Sequence, residues 1–233
     1  MNKYNLSERM KALADFVLPG ETAADIGTDH GFVPIHLLAE NICPFVIMTD
    51  INEGPLIKAK GNLDNVGIDG RYYDLRHGNG LEVLEPFEAA SIIIAGMGGE
   101  NIIEILCSDV PKTKSCRRLI LHPRKRPWLL RKWLIENGFV IEAEKLIKEV
   151  DKYCEIIVAR PLKEGEAAQK WDEDLYFLPE GLRDDPLFDE FLEDYIRKLN
   201  IVIDNMGNSE TQDIEEIKAP WIKRLEYARS LLR

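Results

Sequence analysis

The sequence predicts an α/β protein: a mostly parallel sheet finished by an antiparallel hairpin, followed by a helical C-terminal part. Three observations carry this. From residue 22 to residue 136, short apolar runs alternate with amphipathic stretches, the pattern of repeated strand and helix units. Two later runs, 139–147 and 152–161, flank the brief connection Glu149-Val150-Asp151, which is too short for anything but an antiparallel pair. Beyond Lys163 the composition shifts: residues 166–233 carry seventeen acids against nine bases, with apolar residues at helical spacing. The expected division is a sheet domain over 1–163 and a helical domain over 164–233.

In chain order, Leu6, Met10, Leu13 and Val17 recur at helical spacing until Pro19-Gly20, giving a short covering helix to which no chemistry is assigned. Residues 22–34, Thr-Ala-Ala-Asp-Ile-Gly-Thr-Asp-His-Gly-Phe-Val-Pro, then read as strand, tight turn and helix start. Gly27 lets the backbone turn and approach a ligand, and Gly31 lets the helix begin close to the strand. Asp29 stands where a dinucleotide-binding turn has its middle glycine. An anion there repels a pyrophosphate but tolerates a sulfonium and an amino group, which favours S-adenosylmethionine over NAD or FAD. An ordinary strand-to-helix turn capped by an aspartate is the plainer alternative.

The next strand, Phe45 to Asp50, ends in an acid about twenty residues beyond the glycine turn, where two carboxylate oxygens can accept both ribose hydroxyls. Glu53 to Val66 reads as a helix, with Pro55 in its first turn and Gly61 weakening its middle. A third strand over 71–76 leads into His77-Gly78-Asn79-Gly80. Asn79 and Gly80 suit the edge of an adenine or a plain turn, and His77 suits a surface or capping role. Ser91 to Ala95 is an apolar strand running into Gly96-Met97-Gly98-Gly99, where the main chain can pass under a bound ligand. The Asn/Asp-Pro-Pro-aromatic pattern of exocyclic-amine methylation is missing. A ring nitrogen, whose lone pair lies in the plane, does not require it.

The strand Arg118 to Pro123 lies in a segment of reversed charge. Between Lys112 and Trp133 there are nine Lys/Arg and no acids, in a chain whose net charge is −11. The segment Lys112–Lys132 is therefore the candidate contact surface for a polyanion; pairing of these cations with surface acids is the alternative. Trp128 and Trp133 sit among the charges at core-packing spacing, with stacking on a base as a second use. The global acidity argues against indiscriminate nucleic-acid binding. Cys43, Cys107, Cys116 and Cys154 show neither disulfide-framework nor metal-ligand spacing. No apolar run reaches the length of a membrane span and the N-terminus lacks an apolar signal stretch, so a soluble, cytoplasmic protein is expected, either monomer or dimer.

DIGTDHGFVP (25–34), TDINEGPLIKAKGNL (49–63), GNGLEVL (78–84), IIIAGMGGENI (92–102), LILHP (119–123) and WLIENGF with KYCEIIVA (within 133–159) together resemble the bacterial tRNA (adenine(22)-N(1))-methyltransferase family. The resemblance covers essentially the whole chain. It implies a Rossmann-like class I methyltransferase domain with a coiled-coil-like helical C-terminus, S-adenosylmethionine as donor and tRNA as acceptor. By position it implies a donor loop of Asp25, Gly27, Thr28, Asp29, His30 and Gly31, and a ribose site at Asp50 and Ile51. Asn79 and Gly80 then lie near the donor adenine, and Ala95, Gly96 and Met97 near the methyl group. Asp29 is the first candidate for a contact to the target base or the donor; His122 and Arg124 are further candidates. Two departures stand out: the ribose acid is Asp50 where relatives use Glu, and His122-Pro123-Arg124 replaces Gln-Pro-Asn. Methylation of another RNA or a small molecule, or a non-catalytic nucleic-acid-binding role on the same fold, remain the alternatives.

Overall fold

The computed structural model describes residues 6–150, 152–206 and 213–232. Asp151 of the hairpin connection, and Gly207 and Asn208, expected to end the first long C-terminal helix, lie outside them. The chain divides into two compact units, Met1–Lys170 and Trp171–Arg233. The Gln169 side-chain amide accepts from the Ile141 N–H and donates to its carbonyl at 2.8 and 3.1 Å. That contact keeps residues 164–170 with the first unit although their composition resembles the second.

The first unit opens with α1 (Glu8–Asp15), whose Ser7 cap accepts the Met10 N–H. Then follow β1 (Ala23–Ile26), α2 (Phe32–Ala39), β2 (Val46–Asp50), α3 (Glu53–Val66) and β3 (Tyr73–His77). After them come β4 (Ser91–Gly98), α4 (Gly99–Cys107), the short α5 (Val110–Thr113), β5 (Arg118–Lys125), α6 (Pro127–Glu136), β6 (Phe139–Glu149) and β7 (Lys152–Pro161). The strands form one sheet in the order β3-β2-β1-β4-β5-β7-β6. The first five are parallel, and β7 runs antiparallel to both β5 and β6. Because β1 lies between β2 and β4, successive connections leave it in opposite directions, which opens a crevice at its C-terminal end.

The central strands have both faces covered, which is why they read as continuous apolar runs rather than alternating ones. Ala23, Ala24, Val46, Ile47, Met48, Ile93, Ile94 and Leu119 to Leu121 are all buried. Each large aliphatic side chain so buried contributes about 1.5–3 kcal/mol.

Strand β4 is longer than the apolar run suggests. It continues through Gly96 and Gly98 against β5, with register shifts around Met97 that mark a bulge.

Arg131 does not lie on a basic surface. It is fully buried between α6 and the hairpin, donating to Glu144 at 2.7 Å and to Glu155. Burial alone would loosen its proton, and the two carboxylates more than offset that.

The second unit holds α7 (Glu173–Phe177), α8 (Phe188–Asn205) and α9 (Asp213–Ser230). Helix α8 buries Phe188, Phe191, Leu192 and Leu199, and α9 buries Leu225 and Ala228. Arg224 stacks on Phe177, its guanidinium carbon 3.3 Å from the ring centre. The packed face of α9 runs through this residue, and Ile217 and Ile222 on the same helix are exposed. No described helix is long and apolar enough to cross a membrane.

Candidate active site

The turn after β1 is fastened to β2: the amides of Gly27 and Thr28 both donate to the Thr49 carbonyl, at 2.8 and 2.9 Å. Gly27 and Gly31 both take left-handed backbone conformations, with φ of 76° and 68°. A Cβ on Gly31 would stand 3.1 Å from the Ala59 Cβ, so α2 starts against α3 only because that position is glycine. A Cβ on Gly27 would stand 2.1 Å from the Met97 methyl carbon. The space above Gly27, expected for a ligand, is thus bounded by the protein's own thioether.

At the end of β2, Asp50 accepts the Asn52 N–H at 2.7 Å through one carboxylate oxygen, and its backbone carbonyl accepts from Gly78. Exposed His77 pairs through its ring with the Ile51 carbonyl at 2.8 Å, so it ties the ends of β2 and β3 together.

Two cavities open along these strand ends. One, of about 450 Å³, is lined by Gly27, Thr49, Asp50, Ile51, Asn79, Gly80 and Met97, with Asn101, Glu104 and Ser108 from the α4 side. The other, of about 330 Å³, is lined by Asp25, Gly27, Thr28, Asp29, His30, Gly31, Ala95, Gly96, Met97 and Arg124, with Arg9 and Phe32. Gly27 and Met97 belong to both and mark the junction. Among the described residues the buried hydroxyls Thr28 Oγ1 and Thr49 Oγ1 have no hydrogen-bond partner, and these residues line one cavity each. A polar ligand spanning the junction suits that arrangement.

Burial raises the Asp25 carboxyl to about 6. The neighbouring Thr28 hydroxyl pulls the other way, without hydrogen-bonding geometry of its own, and Asp50 adds to the rise. The Asp29 side chain is 71% exposed, with the His30 ring nitrogen at 3.4 Å and the Lys58 ammonium at 3.6 Å. The His30 and Phe32 rings stack at 5.2 Å and 8° on the wall of the second cavity.

One expected site residue is placed elsewhere. His122 is 1% exposed, lies behind the β4 bulge rather than in either cavity lining, and accepts the Gly96 N–H at Nδ1. Burial and the nearby Arg9 lower its pKa to about 4, with Arg124 and Lys152 acting the same way and Glu149 opposing. It is a neutral imidazole facing away from solvent. Arg9, by contrast, had no signal in the sequence: it lies on the helix to which no chemistry was assigned, and only the packing of α1 brings it to the second cavity.

The basic segment largely pairs with acids. Arg117, Arg118, Arg126 and Arg131 meet Glu21, Glu142, Glu100 and the Glu144/Glu155 pair; Lys112 and Lys132 meet Asp109 and Glu136. Lys114 lies over the Phe139 ring. Arg124 and Lys125 are exposed and make no ion pair among the described residues, and Arg124 lines the second cavity.

A parallel sheet with this strand order, an antiparallel terminal hairpin and a divided crevice at β1 defines the class. The chain belongs to the methyltransferase-domain family, whose model matches residues 6–157. Among particular relatives, it is 34% identical over 159 residues to the tRNA (adenine(22)-N(1))-methyltransferase of Bacillus subtilis, a match covering 68% of this chain and 66% of that protein. Over the curated relatives it matches, the chain spans 66% of their length. The Streptococcus pneumoniae Sp1610 protein in complex with S-adenosyl-L-methionine superposes with a TM-score of 0.85 at 28% identity, covering 98% of this chain and 100% of that one. TrmK of M. capricolum, in complex with S-adenosyl-homocysteine, superposes with a TM-score of 0.81 at 26% identity, covering 99% and 100%.

Proposed function

We propose that the protein is an S-adenosylmethionine-dependent methyltransferase acting on ring nitrogen 1 of an adenine in tRNA, position 22 being the one named for its Bacillus subtilis relative. The observation that carries this is the pair of cavities joined at Gly27 and Met97, with Asp50 in one and Asp25 and Asp29 in the other. When bound, the donor supplies a methyl group on a cationic sulfur, the electron pair of the broken bond staying with that sulfur.

Asp50 accepts the ribose hydroxyls, Asn79 and Gly80 flank the donor adenine, and Asp25 faces the donor's amino end. Arg124 places positive charge where a carboxylate or phosphate can reach it, while Arg9 on the same wall is held by Glu149 at 2.9 Å. The acceptor base enters the second cavity flipped out of the folded tRNA, beside the His30–Phe32 stack. Its ring nitrogen 1 carries a lone pair and no proton, so alignment matters more than a strong base. As the methyl arrives, the base gains positive charge. The Asp29 carboxylate then attracts it more strongly than it attracts the neutral substrate, which is the differential binding that accelerates a reaction. Arg124 on the wall of the second cavity and exposed Lys125 beside it in sequence are the phosphate contacts of this reading, and the cytoplasm, where tRNA is found, is its location.

Incubating the protein with unmodified tRNA and isotopically labelled donor, then identifying nucleosides by mass spectrometry, tests the proposal. Labelled 1-methyladenosine at a single position is the expected product. Donor binding without any methylated nucleoside would point instead to a non-catalytic RNA-binding protein, and label on another base would change the substrate.

A further inference from the structure

His122 lines neither cavity, yet a hydrogen bond to its ring reaches the centre of the cleft. The β4–β5 ladder pairs Ala95 with His122 and then Met97 with Pro123, so Gly96 is the extra residue of a bulge. Its φ of 82° lies in the left-handed region, which glycine adopts without strain. Taken out of the ladder, the Gly96 N–H needs another acceptor, and His122 Nδ1 provides it at 3.1 Å. Side chains alternate between faces along a strand, so the extra residue decides which face the next one joins. Here that next residue is Met97, and the bulge aims it at Gly27, on the junction of the two cavities.

With methyl transfer in this cleft as the premise, we propose that His122 is a positioning residue: its Nδ1 holds the Gly96 peptide, and thereby the Ala95–Met97 bulge, in the shape that aligns donor and base. Only the neutral ring with its proton on Nε2 can do this, because the protonated ring has no acceptor. Burial, reinforced by Arg9, Arg124 and Lys152 against Glu149, keeps the ring neutral. Among the described residues Nε2 is buried without a hydrogen-bond partner, so no acid there holds the ring in a proton relay and Gly96 is the group that orients it.

The test compares His122→Gln, whose side-chain carbonyl can accept the same N–H, with His122→Leu, which cannot. His122→Leu is expected to lower kcat about 100-fold, the scale of a small misplacement at a reacting centre. KM for the donor should move far less, because Asp50, Asp25 and the β1 turn hold the donor's two ends independently of the bulge. His122→Gln is expected to recover most of the turnover. Nitrogen-15 spectra of the unmodified protein should show His122 protonated on Nε2, with the Gly96 amide protected from exchange. A proton on Nδ1, a Gln variant as impaired as Leu, or a Leu variant with full kcat and merely a lower Tm would each overturn the proposal. Should His122→Leu fail to fold, the spectra and the Gln variant decide it. A parent protein that methylates no tRNA sinks both readings, whereas a failed spectrum or failed rescue in an active parent sinks this one alone.

Discussion

Replacing Asp25 by asparagine should make the protein more stable and less able to bind its donor. The carboxyl is raised from 3.8 to about 6, chiefly by burial. At 1.36 kcal/mol per tenfold change in proton affinity, ionising it in the folded protein at pH 7.5 costs about 3 kcal/mol relative to the unfolded chain. For an acid whose folded pKa is raised, stability is highest below 3.8 and falls as pH rises through 6. The neutral amide has no such term. Asp25→Asn should therefore gain up to about 3 kcal/mol at pH 7.5, less whatever its new buried N–H groups lose, and the advantage should shrink below pH 6 and vanish below 3.8. Urea titrations of both proteins across that range measure the difference, in which every other titrating group cancels. Calorimetry should find donor affinity reduced about 100-fold or more, because a cation then loses its buried counter-charge. A stability gap that does not change with pH, or undiminished donor binding, would refute the assignment of Asp25 as a destabilised anion kept for a cationic ligand.

Asp29→Ala should cost turnover about 100-fold while leaving Tm unchanged, since the side chain is 71% exposed; a fall in Tm with normal turnover would remove its role. Arg131→Met should destabilise the protein by about 3–5 kcal/mol in denaturant titrations by leaving Glu144 and Glu155 uncompensated. Converting all three to apolar residues should recover most of that loss. Arg124→Ala combined with Lys125→Ala should weaken tRNA binding and make its dependence on log salt shallower by about 1.5, as expected for two lost phosphate contacts. An unchanged slope in filter-binding assays would place the tRNA elsewhere.

Alternation of apolar runs and helical faces gave away the strands and the terminal hairpin because each is a local pattern with a short connection. The lining of the two cavities was legible for the same reason: Asp25, Gly27, Gly31 and Asp50 owe their positions to strand ends. Charge was less readable. A run of nine cations looks like one surface, but the start of an interior strand and a buried helix face distribute it among partners far away in sequence, such as Glu21 and Glu155. Arg9 reaches the second cavity only through the docking of α1, and His122 meets the Gly96 N–H only because of a bulge in β4 that no periodicity encodes.

The Thr49 carbonyl that receives the Gly27 and Thr28 amides belongs to the residue immediately before Asp50. The β1 turn and the end of β2 are therefore fixed to each other by adjoining peptide units. If the donor is held as proposed, such a seat would work as a gauge of length: an adenosine derivative with a side arm one methylene longer or shorter would satisfy Asp50 or Asp25, but not both without bending. Discrimination among sulfur-containing nucleosides would then be set by backbone spacing rather than by contact with the sulfur.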